Sequence, residues 1–224
     1  MEIEKRHGGG QTALIPVAAF LIAILIISAS VTVTLFDKRA YARMAGGGEL
    51  SVITGLSEAE ILANYNALID YNSIFFAGPL EFPTLPMSDA GRIHFEEVKA
   101  IFSAFQIALI VSAALAAPLC ISLARKRRFR FLAPGGLFAL LIPAFVVCLM
   151  TIVGWDNFFV LFHQVFFNND FWVFDYRVDP IILLLPDDWF LNCLIRIVLG
   201  IAVSSAALII TGRILNNNHS NKSY

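Results

Sequence analysis

Cysteines, histidines and charged residues are all scarce in this chain, and each scarcity narrows what the protein can be. Among 224 residues there are three cysteines and four histidines, and only 15% are Asp, Glu, Lys or Arg. Cys120, Cys148 and Cys193 are odd in number and scattered through apolar segments, so they do not indicate a disulfide framework. No two of them form a CxxC pair, which argues against a structural zinc site. We expect all three to be packing or lipid-facing residues.

Several catalytic and binding signatures are also missing. The segment from His94 to Glu97 reads HFEE, which departs from the H-E-x-x-H pattern of zinc proteases. The chain has no G-x-S-x-G nucleophile elbow, no P-loop and no Rossmann glycine pattern. Its net charge of -1 provides no general attraction for nucleic acid, so we expect no nucleic-acid partner.

Hydrophobic residues, in contrast, are abundant. They make up 58% of the chain, and the mean hydropathy of +0.74 is well above that of an ordinary soluble domain. A helix needs about 20 apolar residues to cross a bilayer. Four runs meet this requirement, at residues 12–36, 99–124, 131–154 and 189–211. The sequence therefore predicts an all-α membrane protein with four transmembrane helices, forming a single membrane-embedded domain over residues 1–224.

The first apolar run can also be compared with a secretory signal peptide. The apolar core of a signal peptide has only about 7–15 residues, and this run is longer. Residues 40–42 read AYA and resemble a cleavage site, but the charged residues 37–39 stand between them and the run. We therefore expect the first run to be an uncleaved anchor.

The first of two long connecting segments, residues 37–98, contains its own signals of order. Ser57 and Glu60 have the spacing of a helix-capping box, and apolar residues follow at helical intervals over residues 58–70. Three prolines over residues 79–86 then prevent a regular helix. We expect a small cap outside the membrane that contains one amphipathic helix.

The distribution of basic residues predicts the orientation of the spans. Five basic residues lie between the second and third runs, whereas residues 155–188 contain only Arg177. Because Lys and Arg accumulate in cytoplasmic loops, we expect the N- and C-termini to be cytoplasmic. The segments 37–98 and 155–188 are then extracytoplasmic.

Two histidines lie at the ends of apolar runs. His94 stands just before the second run and His163 just after the third, so both should emerge at the same extracytoplasmic face. Histidine has an ordinary pKa of about 6.5, so such a pair can take and give protons near neutral pH. The alternative is that each ring is an interfacial aromatic group with a polar tip. His7 and His219 lie in polar tails, where we assign them no role.

Two charged residues lie beside or within the apolar runs. Glu97 shares a helical face with His94 and can partner that imidazole. Arg196 lies inside the last run, and a charge within a span by default faces the helix bundle or a wet cavity, here the one near the histidines. The alternatives are a surface pair between Glu96 and Lys99, and an Arg196 that snorkels or pairs with a carboxylate.

The segment that follows His163 contains further polar candidates. Asn169 can donate to an oxyanion or simply shape a turn. Asp170, Asp175 and Asp179 can each orient an imidazole, or can be solvated loop acids. Asp170 can also join the two histidines in a metal site, but no ligand spacing supports one, and we expect neither a metal nor a cofactor.

Three blocks of sequence together resemble a known family. Residues 94–99 read HFEEVK, residues 162–172 read FHQVFFNNDFW, and residues 179–186 read DPIILLLP. In a four-span chain of this length, these blocks resemble the bacterial lipoprotein intramolecular transacylase (Lit) family. The first block is of the H-x-x-D-V-K type and departs from it mildly, because Glu97 stands in place of the aspartate.

The resemblance implies a reaction and a location. Members of the family would move the sn-2 acyl chain of a diacylglyceryl group to the α-amine of the N-terminal cysteine of a lipoprotein, giving the lyso form. The resemblance thus implies an acyltransferase of the bacterial cell membrane that would need no cofactor, with diacylated lipoprotein and membrane lipid as its partners. The catalytic pair of the family corresponds to His94 and His163. From the residues themselves, we expect Glu97, Asn169, Asp170 and Arg196 to support or orient this pair.

Two other classes of function remain open from the residues alone. An aromatic-rich outer segment without a soluble catalytic motif also fits a non-enzymatic membrane scaffold or a lipid-sensing protein. The same two histidines also fit a metal-dependent membrane hydrolase.

Overall fold

The computed structural model describes the backbone of residues 2–126 and 128–220, and the side chains of residues 14–126 and 128–217. These residues form eight α-helices, one 3₁₀ turn and no strands. The helices are α1 (Glu2–Phe36), α2 (Lys38–Ala45), α3 (Glu49–Thr54), α4 (Glu58–Tyr71), α5 (Asp89–Arg125), α6 (Leu132–Val153), α7 (Trp155–Phe166) and α8 (Asp187–Ser220), and the 3₁₀ turn is Pro180–Leu184. Arg127 and the side chains of His7 and His219 lie outside this description.

Four helices are long and apolar enough to cross a membrane, which confirms the predicted all-α class and the number of spans. They are Leu14–Phe36, Asp89–Arg125, Leu132–Val153 and Asp187–Asn217. The second and fourth begin before the apolar runs do, at Asp89 and Asp187. An acidic first turn favours this early start, because a carboxylate interacts well with the positive end of the helix dipole.

The chain divides into two compact units, of which the first comprises residues 1–31, 107–148 and 196–224. We call it the aliphatic unit, because its core consists largely of aliphatic side chains such as Ala18, Ile22, Leu123 and Ile201. A Cβ atom on Gly136 would lie 2.8 Å from the backbone oxygen of Ser205, so α6 and α8 approach each other too closely for a larger residue. Small residues at such crossings are typical of membrane helices.

The second unit comprises residues 32–106 and 149–195. We call it the aromatic unit, because stacked rings lie in its core. The rings of Tyr41 and Tyr65 are parallel with centroids 3.4 Å apart, and Trp189 meets Tyr41 edge-on at 5.2 Å. The Tyr41 hydroxyl donates a 2.7 Å hydrogen bond to the carbonyl of Leu184, so this buried polar group is satisfied.

The predicted amphipathic helix is present in the aromatic unit as α4. The backbone N–H of Glu60 donates to the Ser57 hydroxyl, and the backbone N–H of Ser57 donates to the Glu60 carboxylate, which completes the capping box. Ile61 and Leu68 lie on the buried face of the helix. The helix therefore packs into the core of this unit.

The proline-containing segment after α4 has no regular helix, as predicted, but it is held in place. Asn64, fully buried on α4, donates to the Thr84 hydroxyl at 2.6 Å and accepts from the Thr84 backbone N–H at 3.2 Å. On the other side, the Gln106 amide donates to the carbonyl of Asn72 at 2.8 Å and accepts from the N–H of Ile74 at 3.2 Å. Side-chain amides thus replace the backbone bonds that the segment lacks.

Candidate active site

His94 lies in the second turn of α5 and is only 5% exposed. Its ring is surrounded by aromatic side chains, with centroids 4.7 Å from Phe167 and 5.5 Å from Phe174. Its Nδ1 atom is buried and has no hydrogen-bond partner among the residues described. A ring nitrogen in this setting is available to a bound molecule.

His163 lies near the end of α7, a helix that the sequence analysis did not predict. Its Nδ1 atom is 2.7 Å from the carbonyl oxygen of Phe159, one turn earlier. In the neutral ring this nitrogen donates to the carbonyl, and Nε2 is left as an acceptor. Burial lowers the pKa of His163, and the bond to Phe159 partly opposes that effect. The ring is therefore neutral at pH 7.

The structure brings the two imidazoles together. The ring centroids of His94 and His163 are 6.0 Å apart and the planes are tilted by 32°. The Trp172 ring stacks on the His163 ring at 4.7 Å and so restricts its rotation. At this separation both rings can reach one bound group, as acid–base chemistry requires.

Asn169 connects the two histidine-bearing segments. Its side-chain amide donates to Oε1 of Glu97 at 2.8 Å, and Glu97 lies one turn beyond His94. Its backbone carbonyl accepts from the indole N–H of Trp172 at 3.0 Å, and Trp172 stacks on His163. The contact found for Glu97 is thus with Asn169, and a partnership of Glu97 with His94 stays a prediction.

The remaining predicted acids occupy three different settings. Asp170 is exposed in the turn after α7, and its backbone carbonyl accepts from the N–H of Val173 at 3.0 Å. Asp175 forms an ion pair with Arg177 at 2.6 Å. Arg196 is half-buried on α8 and belongs to the aliphatic unit. The proposed supporting roles of Asp170 and Arg196 stay predictions.

Asp179 has a positioning role that the sequence did not reveal. Its two carboxylate oxygens accept from the backbone N–H and the hydroxyl of Ser88, both at 2.7 Å, and that hydroxyl accepts from the N–H of Gly91. A Cβ atom on Gly91 would lie 2.6 Å from Asp179 Oδ1, so only glycine fits there. Asp179 therefore holds the first turn of α5, and His94 lies in the next turn. Ser88 followed by Asp89 is a sequence typical of a helix start, but it contains no signal for the distant partner.

A metal-dependent hydrolase would need a group of side chains that can bind a metal ion. Within the described part of the chain, no group of three or more His, Cys, Asp or Glu side chains is arranged to hold a metal ion. Cys120, Cys148 and Cys193 are free thiols in separate places.

Comparison with known proteins identifies the family. The model of the lipoprotein intramolecular transacylase Lit family matches residues 17–190. The chain belongs to this family. The assignment confirms the resemblance and the predicted class of activity, since a lipoprotein intramolecular transacylase is an acyltransferase. No protein with a curated description matches the chain significantly.

Solved structures agree with the assignment. The in meso structure of the membrane integral Lit from Bacillus cereus is 31% identical and superposes with a TM-score of 0.89, covering 95% of this chain and 99% of that chain. A variant of that protein with one histidine replaced by arginine is 30% identical, with a TM-score of 0.85 and coverages of 99% and 98%. A third structure, with alanine at the same histidine, has a TM-score of 0.85 and 30% identity over 96% of this chain and 98% of that chain.

Proposed function

We propose that this member of the Lit family moves the sn-2 acyl chain of a diacylated lipoprotein from the glycerol oxygen to the α-amine of the N-terminal cysteine. The product is the lyso form, which is N-acylated and keeps one glyceryl chain. The observation that carries the proposal is the 6.0 Å separation of the rings of His94 and His163 in a chain of this family.

The reaction requires proton transfers from the amine nitrogen and to the leaving oxygen, which a histidine pair can perform. The α-amine has an ordinary pKa of about 8, so it is largely protonated at pH 7 and must lose a proton before it can attack. Its nitrogen then forms a bond to the ester carbonyl carbon and loses a second proton, the bond from that carbon to the glycerol oxygen breaks, and the alkoxide takes up a proton. The free Nε2 of neutral His163 supports this residue as the base that takes a proton from the amine. The His94 ring, whose centroid is 6.0 Å away, is placed to relay that proton, accepting at one ring nitrogen and donating from the other to the leaving oxygen.

The remaining requirements are proximity and charge stabilisation. Donor ester and acceptor amine belong to one molecule, so the site only has to orient them, and no cofactor is needed for the transfer. The tetrahedral intermediate carries an oxyanion that needs an N–H donor. One amide N–H of Asn169 is bound to Glu97, and we assign the oxyanion to the second N–H or to a neighbouring backbone amide.

The exposed face of α7 suits a lipid-linked substrate. Phe162, Val165 and Phe166 are 37%, 69% and 56% exposed on the helix that carries His163. Apolar surface of this kind marks a lipid or partner contact, and we assign it to the acyl chains and surrounding membrane lipid. The basic segment between α5 and α6 supports an orientation in which both termini are cytoplasmic and the cap and the site lie outside the cytoplasm of the bacterial cell.

The proposal is tested with a synthetic lipopeptide whose sn-2 chain alone is deuterated. The purified full-length protein should move the label onto the cysteine nitrogen, as shown by tandem mass spectrometry of the product. The Bacillus cereus protein is the positive control. An unchanged lipopeptide under conditions where that control is active would refute the proposal, and free deuterated fatty acid would identify a hydrolase instead.

A further inference from the structure

Only one of the two oxygens of the Glu97 carboxylate has a hydrogen-bond partner among the described residues. Oε1 accepts from the Asn169 amide at 2.8 Å, which fixes the orientation of the group. Oε2 is buried and has no hydrogen-bond partner among the described residues. A buried carboxylate oxygen without a donor is unfavourable, so this arrangement fits a ligand that brings N–H groups and positive charge.

The cations of the chain that lie closest along α5 are engaged elsewhere. Arg92 binds Glu96 at 2.9 Å and Asp89 at 3.3 Å. The Lys99 ammonium donates to the carbonyl of Phe76 at 3.1 Å and lies over the Tyr71 ring at 4.2 Å. The contacts of Arg92 and Lys99 in the structure are thus with groups other than Glu97, and Glu97 Oε2 has no hydrogen-bond partner among the described residues.

The Glu97 carboxylate lies on α5 one turn from His94. Glu97 and His94 are three residues apart on α5, and residues with this spacing are neighbours on a helix surface. His94 Nδ1 is also buried without a partner in the described residues. Two unpartnered polar atoms on adjacent turns of one helix face can receive a single group with several N–H bonds. An ammonium has three such bonds.

We infer that Glu97 is the residue that binds the α-ammonium of the N-terminal cysteine of the substrate. The inference rests on the proposed function and adds the basis of its selectivity, because an N-acylated lipoprotein carries a neutral amide at this position. In the proton transfer, one N–H bond breaks, the proton passes to an imidazole nitrogen, and the amine keeps the electron pair for its attack. The carboxylate is next to the ammonium before the transfer and close to the imidazolium after it, so positive charge stays compensated.

Binding can be measured without turnover by replacing the glyceryl esters with ethers, which cannot be transferred. Two dialkylglyceryl lipopeptides are compared, one with a free α-amine and one in which hydrogen replaces that amine. Their dissociation constants are measured for the wild-type full-length protein, for Glu97→Gln and for the control Glu96→Gln. Glu96 is an exposed neighbour whose carboxylate binds Arg92.

We expect wild type and Glu96→Gln to prefer the amine by about tenfold, as a charge-assisted hydrogen bond allows. Glu97→Gln should bind both ligands equally, while its affinity for the ligand without the amine is unchanged. Glu97→Asp keeps the charge on a shorter side chain, so it should retain a reduced preference and serves as the second variant if Glu97→Gln does not fold.

Two outcomes of the binding measurements would contradict the role of Glu97. An equal affinity of wild type for the two ligands, or a full preference in Glu97→Gln, would overturn the inference. The labelled ester lipopeptide is assayed in parallel, so that a lack of acyl transfer with an intact amine preference would count against the proposed reaction and leave the ammonium site standing.

Discussion

The aliphatic and aromatic units use polar side chains in different ways. In the aliphatic unit, the hydroxyls of Ser28 and Ser112 donate to carbonyls within their own helices, at 2.6 Å and 3.2 Å. In the aromatic unit, polar bonds join segments that are far apart in sequence, such as Tyr41 to Leu184 at a separation of 143 residues. Local bonds leave helix packing to side-chain shape, whereas long-range bonds fix distances between segments. His94 and His163 both lie in the aromatic unit.

This contrast suggests a division of roles. Packed apolar helices with close contacts at glycines provide an anchor whose details can vary so long as volume is kept. Two rings that are to act on one substrate need a defined separation, and long-range hydrogen bonds to buried carboxylates and amides hold the segments that carry them. Substitutions in the two units should therefore affect different properties, with the largest effects on activity in the aromatic unit.

The largest effect is expected at the histidines. His94→Ala and His163→Ala should each lower the rate of acyl transfer by about 10²–10⁴-fold, the usual contribution of general acid–base catalysis. The initial rate with the deuterated lipopeptide is the measurement, and the thermal unfolding profile shows whether each variant folds. A variant that folds and keeps the wild-type rate would remove its histidine from the mechanism.

Asp179→Asn should have the next largest effect. The substitution weakens two 2.7 Å bonds to Ser88 that hold the first turn of α5, and disrupting a buried hydrogen-bonded group costs about 1–3 kcal/mol. We expect a lower unfolding temperature together with a lower kcat, because His94 follows in the next turn. Asp175→Asn, at an exposed pair with Arg177, is the matched control and should change neither quantity. Equal behaviour of the two variants would contradict the positioning role of Asp179.

Two glycine substitutions test the division of roles directly. The Cβ atom of Gly91→Ala would lie 2.6 Å from Asp179 Oδ1, and that of Gly136→Ala would lie 2.8 Å from the Ser205 backbone oxygen. Overpacking of this kind costs about 1–3 kcal/mol at either place. Gly91→Ala should also lower the transfer rate, whereas Gly136→Ala should lower stability with little change in kcat of the folded fraction. If kcat falls equally in both, the contrast between the units is wrong.

The pH dependence should report the buried state of His163. A base must be neutral to act, and burial lowers the pKa of His163 below its ordinary value of about 6.5. The rate should therefore fall only when the pH drops below 6.5 and should not gain from His163 deprotonation above pH 7. Trp172→Leu exposes the ring and should move the acid limb to higher pH, whereas Trp172→Phe keeps a stacking partner and should move it less. If the acidic side of the pH–rate profile does not move in Trp172→Leu, a group other than His163 controls the loss of rate at low pH.

The smallest effect is expected at a surface ion pair of the aromatic unit. Lys38 and Asp70 are 2.6 Å apart, but their side chains are 35% and 57% exposed. Such pairs contribute about 0–1 kcal/mol, so Lys38→Ala should leave the transfer rate unchanged and shift the unfolding temperature by little. A loss of activity here would mean that burial is not what separates important from unimportant long-range polar contacts in this unit.

Much of the architecture could be predicted because it depends on short-range patterns. The four apolar runs gave the four membrane-length helices, and Ser57 with Glu60 gave the start of α4. The alternation of spans and the position of the basic cluster predicted that His94 and His163 emerge at one membrane face, but the 6.0 Å separation of their rings came only from the structure. Helix α7 was missed, because its dense phenylalanines looked like an interfacial loop and its start at Gly154 has no side-chain cap.

Amino-acid order alone determined the class of this protein, the number of its membrane-length helices and the two rings at which chemistry is expected, because hydrophobic length and charge placement act locally. Tertiary structure alone decided that Asn169 holds Glu97 and that Asp179 holds Ser88, contacts between residues 72 and 91 positions apart. Such pairings depend on how helices and turns pack in three dimensions, and a local pattern contains no record of the partner.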